Sequence, residues 1–242
     1  MAFHIDVLDW ESTYFDLDLD EVLVPIHEAA ITRLHEIHSG AERGAQEDIR
    51  VAEAAEHEDE CQFARDLARE EGKRAREREQ VVGWLALVDL VMVFHLKIGR
   101  LIGVLTRIAE LRGIAPTLNC ARRSRPEAGK GGWLLKLSDQ YRRLGIDLES
   151  NPAFRVIQEL VLARNDVEHN GGKLGQNYHR LFPNPRFSDG EKKTIVFSNQ
   201  DFGESVRLLK EYVEWIVREL KHLRDGEKPL GPLQQPRPRL SY

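Results

Sequence analysis

Residues 81 to 105 read "VVGWLALVDLVMVFHLKIGRLIGVL", and no other feature limits the fold of this chain as strongly. A run this apolar must leave water, either for lipid or for the middle of a protein. Asp89, His95, Lys97 and Arg100 interrupt it, and charged groups cost a few kcal/mol each in hydrocarbon. The expectation is therefore a core helix rather than a membrane span. Trp84, Leu87, Leu90, Val91, Phe94, Ile98, Leu101 and Leu105 recur at helical spacing as its inward stripe. His95 reads as a core histidine satisfied by a neighbour, or one exposed at a helix end of the bundle.

A core helix needs partners, and the punctuation of the chain supplies them. "DEVLVPIHEAAITRLHEIHSG" spaces Val22, Ile26, Ala29, Ala30, Leu34 and Ile37 at helical intervals, with Pro25 in the first turns and a stop at Gly40. Residues 41–80 mix charges of both signs with alanine, which predicts an exposed helix laced with i,i+4 pairs that projects from the body or pairs with another chain. "WLLKLSDQYRRLG" gives a short helix closed by Gly145. "ESNPAFRVIQELVLARNDVEH" comes after it, with Ser150 or Asn151 as cap, Pro152 at the first position, and Phe154, Ile157, Leu160 and Val161 inward. In "FSDGEKKTIVFSNQDF" the Asp189-Gly190 turn and the β-rich "TIVF" predict a small hairpin or one short strand. A last amphipathic helix turns Val206, Leu209, Tyr212, Val213, Ile216 and Leu220 inward.

The fold class expected is all-α: a helical bundle with a long charged helical extension and at most one short β-hairpin. Its expected division is an acidic N-terminal segment (1–20), a helical domain (21–224) carrying the charged insertion at about 41–80, and a proline-rich, disordered tail (225–242). The chain's 242 residues, 41% of them hydrophobic, provide for one sizeable core or two small ones. Cys61 and Cys120 lie far apart and outside any CxxC pair, and the acidic start lacks the basic and apolar pattern of a secretion signal. Both point to the cytoplasm.

A net charge of -5 does not draw the whole molecule to nucleic acid, so any phosphate contact needs a local basic surface. Arg122, Arg123, Arg125 and Lys130 lie in a loop-like stretch, and Arg142, Arg143, Lys173, Arg180, Lys192 and Lys193 surround the polar stretch at 164–169. These residues are either solvated surface or an RNA-binding rim, for which Arg122, Arg123, Arg125 and Lys173 are the candidates. "GKGG" at 129–132 lacks the remainder of a phosphate loop. His35 with His38, and the group His57 to Cys61, lack the spacing of a metal site and read as helix surface.

Chemistry is suggested by one stretch, "LVLARNDVEHNGGKL" at 160–174, where an apolar helix turns polar and breaks at Gly171 and Gly172. At about 100° per residue, Asn165 and His169 share a face, with Arg164 beside Asn165 and paired along the axis with Glu168. A guanidinium is shaped to clamp a phosphate, and an imidazole exchanges its proton near neutral pH. Together they suit phosphodiester cleavage. The alternative is structural: an ordinary Arg164–Glu168 surface pair, with His169 and Asn170 ending the helix, and with Asp166 and Glu168 disfavouring a polyanion.

"RNDVEH" resembles the R-x(4-6)-H signature of HEPN domains, in which a polar residue often succeeds the arginine. "NGGKL" is similar to the residues just after that signature in small bacterial members. The resemblance covers this helix and its exit, and loosely the helical order. It implies a helical bundle and a metal-independent ribonuclease of the toxin-antitoxin or phage-defence kind, needing no cofactor. It further implies that Arg164 holds the scissile phosphate, His169 transfers protons and Asn165 orients the site. The RNA's own 2'-hydroxyl would attack, leaving a 2',3'-cyclic phosphate. A homodimer with a composite active site, a protein antitoxin or regulator as a further partner, and no membrane are also implied. Some HEPN-like domains instead act as noncatalytic scaffolds or bind nucleotides, and that alternative stays open.

Overall fold

The apolar run forms the middle of a 54-residue helix, and the other elements are arranged around it. The computed structural model describes residues 7–54, 58–111, 132–190 and 193–226. Its helices are α1 (Val7–Leu17), α2 (Val24–Ala54), α3 (Glu58–Leu111), α4 (Trp133–Arg143), α5 (Ala153–Asn170), α6 (Gln176–Leu181) and α7 (Asn199–Asp225). A π-helical turn, Asp18–Leu23, joins α1 to α2, and a 3-10 turn, Leu148–Ser150, precedes α5. The fold is all-α. The C-terminal half of α3 packs against α1, α4, α5 and α7, and Leu87, Leu90, Phe94, Ile98, Leu101 and Leu105 are buried as the spacing predicts.

The acidic N-terminus is part of this core from Val7 onward, contrary to the expected division at residue 20. Leu8, Phe15 and Leu19 are buried. Lys97, one of the charges that argue against a membrane span, is itself buried and donates to the carboxylate of Glu11 at 2.6 Å and to its backbone carbonyl. Burial pushes the Lys97 ammonium below its ordinary value, and the Glu11 bond partly restores it. Further ion pairs, Asp9–Lys221 and Asp20–Lys210, fasten the same segment to α7.

The first predicted helix is displaced in phase. Pro25 cannot donate the backbone hydrogen bond an α-helix needs, and here it comes after a turn of wider winding in which the Val24 amide reaches back to the Leu19 carbonyl. The helical path is continuous from Val7 to Ala54, so Pro25 lies inside it and not at its start. Leu19, Leu23, His27 and Leu34 face inward, whereas Val22, Ile26 and Ile37 of the expected stripe are exposed. His27 takes the inner position because its ring lies 4.1 Å from that of Phe202 and its Nε2 is 3.1 Å from Asn199 Oδ1.

Gly40 does not stop α2. A Cβ there would meet nothing, and the helix continues to Ala54 before returning as α3. Residues 41–54 and 58–80 thus form the far part of an antiparallel pair of helices, joined by Glu53–Arg65 at 3.1 Å and His38–Glu79 at 3.7 Å. The intrahelical ion pairs among the described residues here, Glu47–Arg50, Asp66–Arg69 and Glu71–Arg74, are i,i+3 rather than i,i+4. Ala52, Cys61 and Ala64 are the small buried contacts between the two helices.

Elsewhere Asn151 Oδ1 accepts from the Ala153 amide and Gly145 turns at φ 94°, as expected, whereas Pro152 stands one position before the first residue of α5, and a capping box of Ser198 with Asp201, not anticipated, opens α7. The expected hairpin is reduced to two isolated bridges, Lys173 with Thr194 and Ser188 with Ile195. Of the predicted tail, 225–242, Asp225 still belongs to α7 and Gly226 caps that helix in left-handed conformation, while 227–242 lie outside the described residues.

Gly83 on α3 sits where a Cβ would be 2.2 Å from the Phe197 carbonyl oxygen. Gly83→Ala should therefore lower unfolding free energy by about 1–3 kcal/mol, while Gly40→Ala, in open space, should raise it by up to about 1 kcal/mol. Thermal or urea denaturation distinguishes the two signs. Burial also holds the His27 imidazole below its ordinary value of 6.5, so the unfolded chain takes up the proton first. The stability this contributes is complete above pH 6.5 and is lost as pH falls towards the depressed folded value, and His27→Gln should flatten that acid limb in melts across the pH range.

Candidate functional site

The last turn of α5 is organised around Asp166, which points into the protein and not into a cleft. It is buried, and its carboxylate accepts from the Gly175 amide and from Asn170 Nδ2, both at 2.7 Å. Its backbone carbonyl accepts the amides of Gly171 and Gly172, the former in left-handed conformation at φ 58°. Gly172, at φ 76°, lies so close to Trp84 that a Cβ would be 2.1 Å from the indole. The Gly172 carbonyl accepts the Ile195 amide at 2.7 Å, and Trp84 Nε1 donates to the Ile195 carbonyl at 2.9 Å. "NGG" and the extended "TIVF" segment therefore bind the end of α5 to α3. Asn170, an end-of-helix residue in the structural alternative, has that role here through Asp166.

With Asp166 holding the inner face, the outer face carries Arg164, Asn165, Glu168 and His169. Arg164 Nη1 donates to Asn165 Oδ1 at 3.1 Å, and Nη2 meets Glu168 Oε1 at 2.7 Å. The ion pair of the structural alternative is thus present. Both partners are about a quarter exposed, at 25% and 28%, so the pair can be reached from solvent. Arg164 Nε is buried without a hydrogen-bond partner among the described residues. His169 is exposed one turn further along.

His95 belongs with this group, which the sequence does not reveal. It is an exposed residue of α3, not a core histidine, and one face of its ring stacks on Trp133 at 4.0 Å and 16°. Its pKa is lowered, first by the water lost from that covered face and then by the positive charge of Arg164. The helices α3 and α5 run antiparallel here, with Trp84 against Gly172 and His95 within electrostatic reach of Arg164. Its place on the outward side of the α3 stripe is the available signal, since residues 81, 88 and 95 are a heptad apart.

The proposed basic rim is only partly accounted for. Arg122, Arg123 and Arg125 lie outside the described residues. Lys173 is exposed in the loop leaving α5, where its backbone pairs with Thr194. Arg142 is committed to Asp139, Asp147 and Glu149 at 3.2, 3.2 and 2.5 Å. Arg143, Arg180 and Lys193 are exposed, and the charge of Arg164 is balanced by Glu168, which any incoming anion would have to displace.

Asp166→Ala should leave the Gly175 amide and Asn170 without their acceptor, at a cost of about 1–3 kcal/mol in urea unfolding, with faster amide exchange at Gly175. No family model matches the chain, and neither a curated protein nor a solved structure is found to be similar to it.

Proposed function

We propose that this chain is a HEPN-type, metal-independent RNA endonuclease of the toxin or phage-defence kind, acting in the cytoplasm as a homodimer under a protein regulator. The observation that supports it is that Arg164, Asn165 and His169 share one solvent-facing helix end, with the His95 imidazole, its pKa lowered, within electrostatic reach of Arg164. In this reading Arg164 releases Glu168 and grips the nonbridging oxygens of the scissile phosphate. A neutral imidazole, assigned to His95, takes the proton of the ribose 2'-hydroxyl as its oxygen attacks phosphorus. The bond to the 5'-oxygen breaks, and His169 supplies the proton that this leaving oxygen needs. The products are a 2',3'-cyclic phosphate and a 5'-hydroxyl, and DNA, lacking the nucleophile, is inert.

A second reading has a specific observation in its favour: the projecting helix pair carries exposed Val51, Phe63 and Leu67 among its charges, a surface suited to a noncatalytic interaction protein. RNA cleavage separates the two. Arg164→Ala and His169→Ala should each lose about 10²- to 10⁴-fold in rate without loss of fold, and a single 2'-deoxy substitution at the cut site should block the wild type. Because the His95 pKa is lowered and a base acts in its neutral form, the rate should rise with pH through a midpoint below 6.5, and His95→Gln should remove that limb. Equal cleavage by wild type and variants would leave only the interaction reading.

A further inference from the structure

Among the described residues, the bundle covers only part of α3. By length and composition alone this helix could cross a membrane, yet only 44% of its most apolar window is buried. On the uncovered side, Val81 is 48% exposed, Leu85 59%, Met92 48% and Leu96 59%, with Val88 half-buried between them. The stripe continues through Gly99 and Gly103, both exposed, where a Cβ would meet no other atom. It runs ~33 Å along the helix at ~1.5 Å per residue. A continuous apolar strip of this kind marks an interaction surface.

From this face we infer that α3 pairs antiparallel with α3 of a second copy about a two-fold axis. The bulky residues lie towards the N-terminal end of the stripe and the glycines towards its C-terminal end. A parallel pair would set glycine on glycine and leave a gap, whereas an antiparallel pair seats large side chains over the glycine notch. One register places Leu85 opposite Gly103 and Met92 opposite Leu96, with the midpoint at residue 94. That register also brings Asp89 of one chain to Arg100 of the other, twice by symmetry. Both residues are exposed on the same flank of the stripe, have opposite charge, and are ion-paired to nothing else among the described residues. Steric and charge complementarity thus select the same partner and the same register.

The opposite flank carries Trp84 and His95, the residues that mark α5. A two-fold axis perpendicular to the paired helices keeps each flank on one side of the pair, so both α5 ends lie on the same side. His95 is one residue from the midpoint, which sets the two Arg164 side chains near the axis. This last consequence rests on the nuclease reading for its meaning, but the pairing does not.

Light scattering on the eluting full-length chain tests the pairing without reference to activity. Wild type should have twice the chain mass. Leu85→Glu with Leu96→Glu should have the single-chain mass and unchanged helical circular dichroism, since both positions are exposed in the single chain. Asp89→Arg alone should weaken the dimer by about tenfold, and Asp89→Arg with Arg100→Asp should restore it. The pairing is overturned by a monomeric wild type, by a dimer indifferent to the glutamates, by charge reversal without rescue, or by wild type that floats with phosphatidylcholine vesicles.

Discussion

The need to cover α3 governs this structure. A helix carrying so long an apolar run has no stable place in water, and α1, α4, α5 and α7 are positioned by their contacts with it. Even the charges inside the run serve that arrangement. Lys97 is buried only because α1 brings Glu11 to it, and an ammonium removed from water without such a partner would lose its proton or prevent the packing. The N-terminal segment, acidic and apolar by turns, therefore docks through a buried ion pair at the centre and weaker surface pairs at its ends.

The same need shapes the candidate site. The end of α5 is tied to α3 through Trp84, Ile195 and the two glycines, and Asp166 closes the loop beyond it. Support on the inner face leaves the outer face to carry polar and charged residues. Arg164 and Glu168 hold each other there, which keeps a guanidinium in a defined place. His95 lies on the neighbouring helix, stacked on Trp133 and discouraged from protonation first by burial and then by the charge of Arg164.

Much of this is legible from residue spacing, and the departures have particular causes. The stripes of α3, α5 and α7 are visible because strong apolar repeats at 3.6 residues dominate any local preference. The first helix is out of phase with its apolar spacing because a π-helical turn before Pro25 shifts the register, and because His27 finds Phe202 and Asn199 far along the chain. Gly40 resembles a stop signal, but a glycine with a partner helix alongside need not end anything. "TIVF" has the composition of a strand, yet Ile195 and Phe197 are buried against helices with little strand pairing.

By itself the sequence determined the helical class, the central helix, a cap at Ser150 or Asn151 and the adjacency of Arg164, Asn165 and His169, because each depends on contacts within a few turns of one helix. Only the tertiary structure decided that Asp166 turns inward, that His95 comes within electrostatic reach of Arg164, and that the described residues leave one side of α3 uncovered. Those outcomes depend on which helices meet, and residues distant along the chain are brought together only when the whole apolar surface is packed.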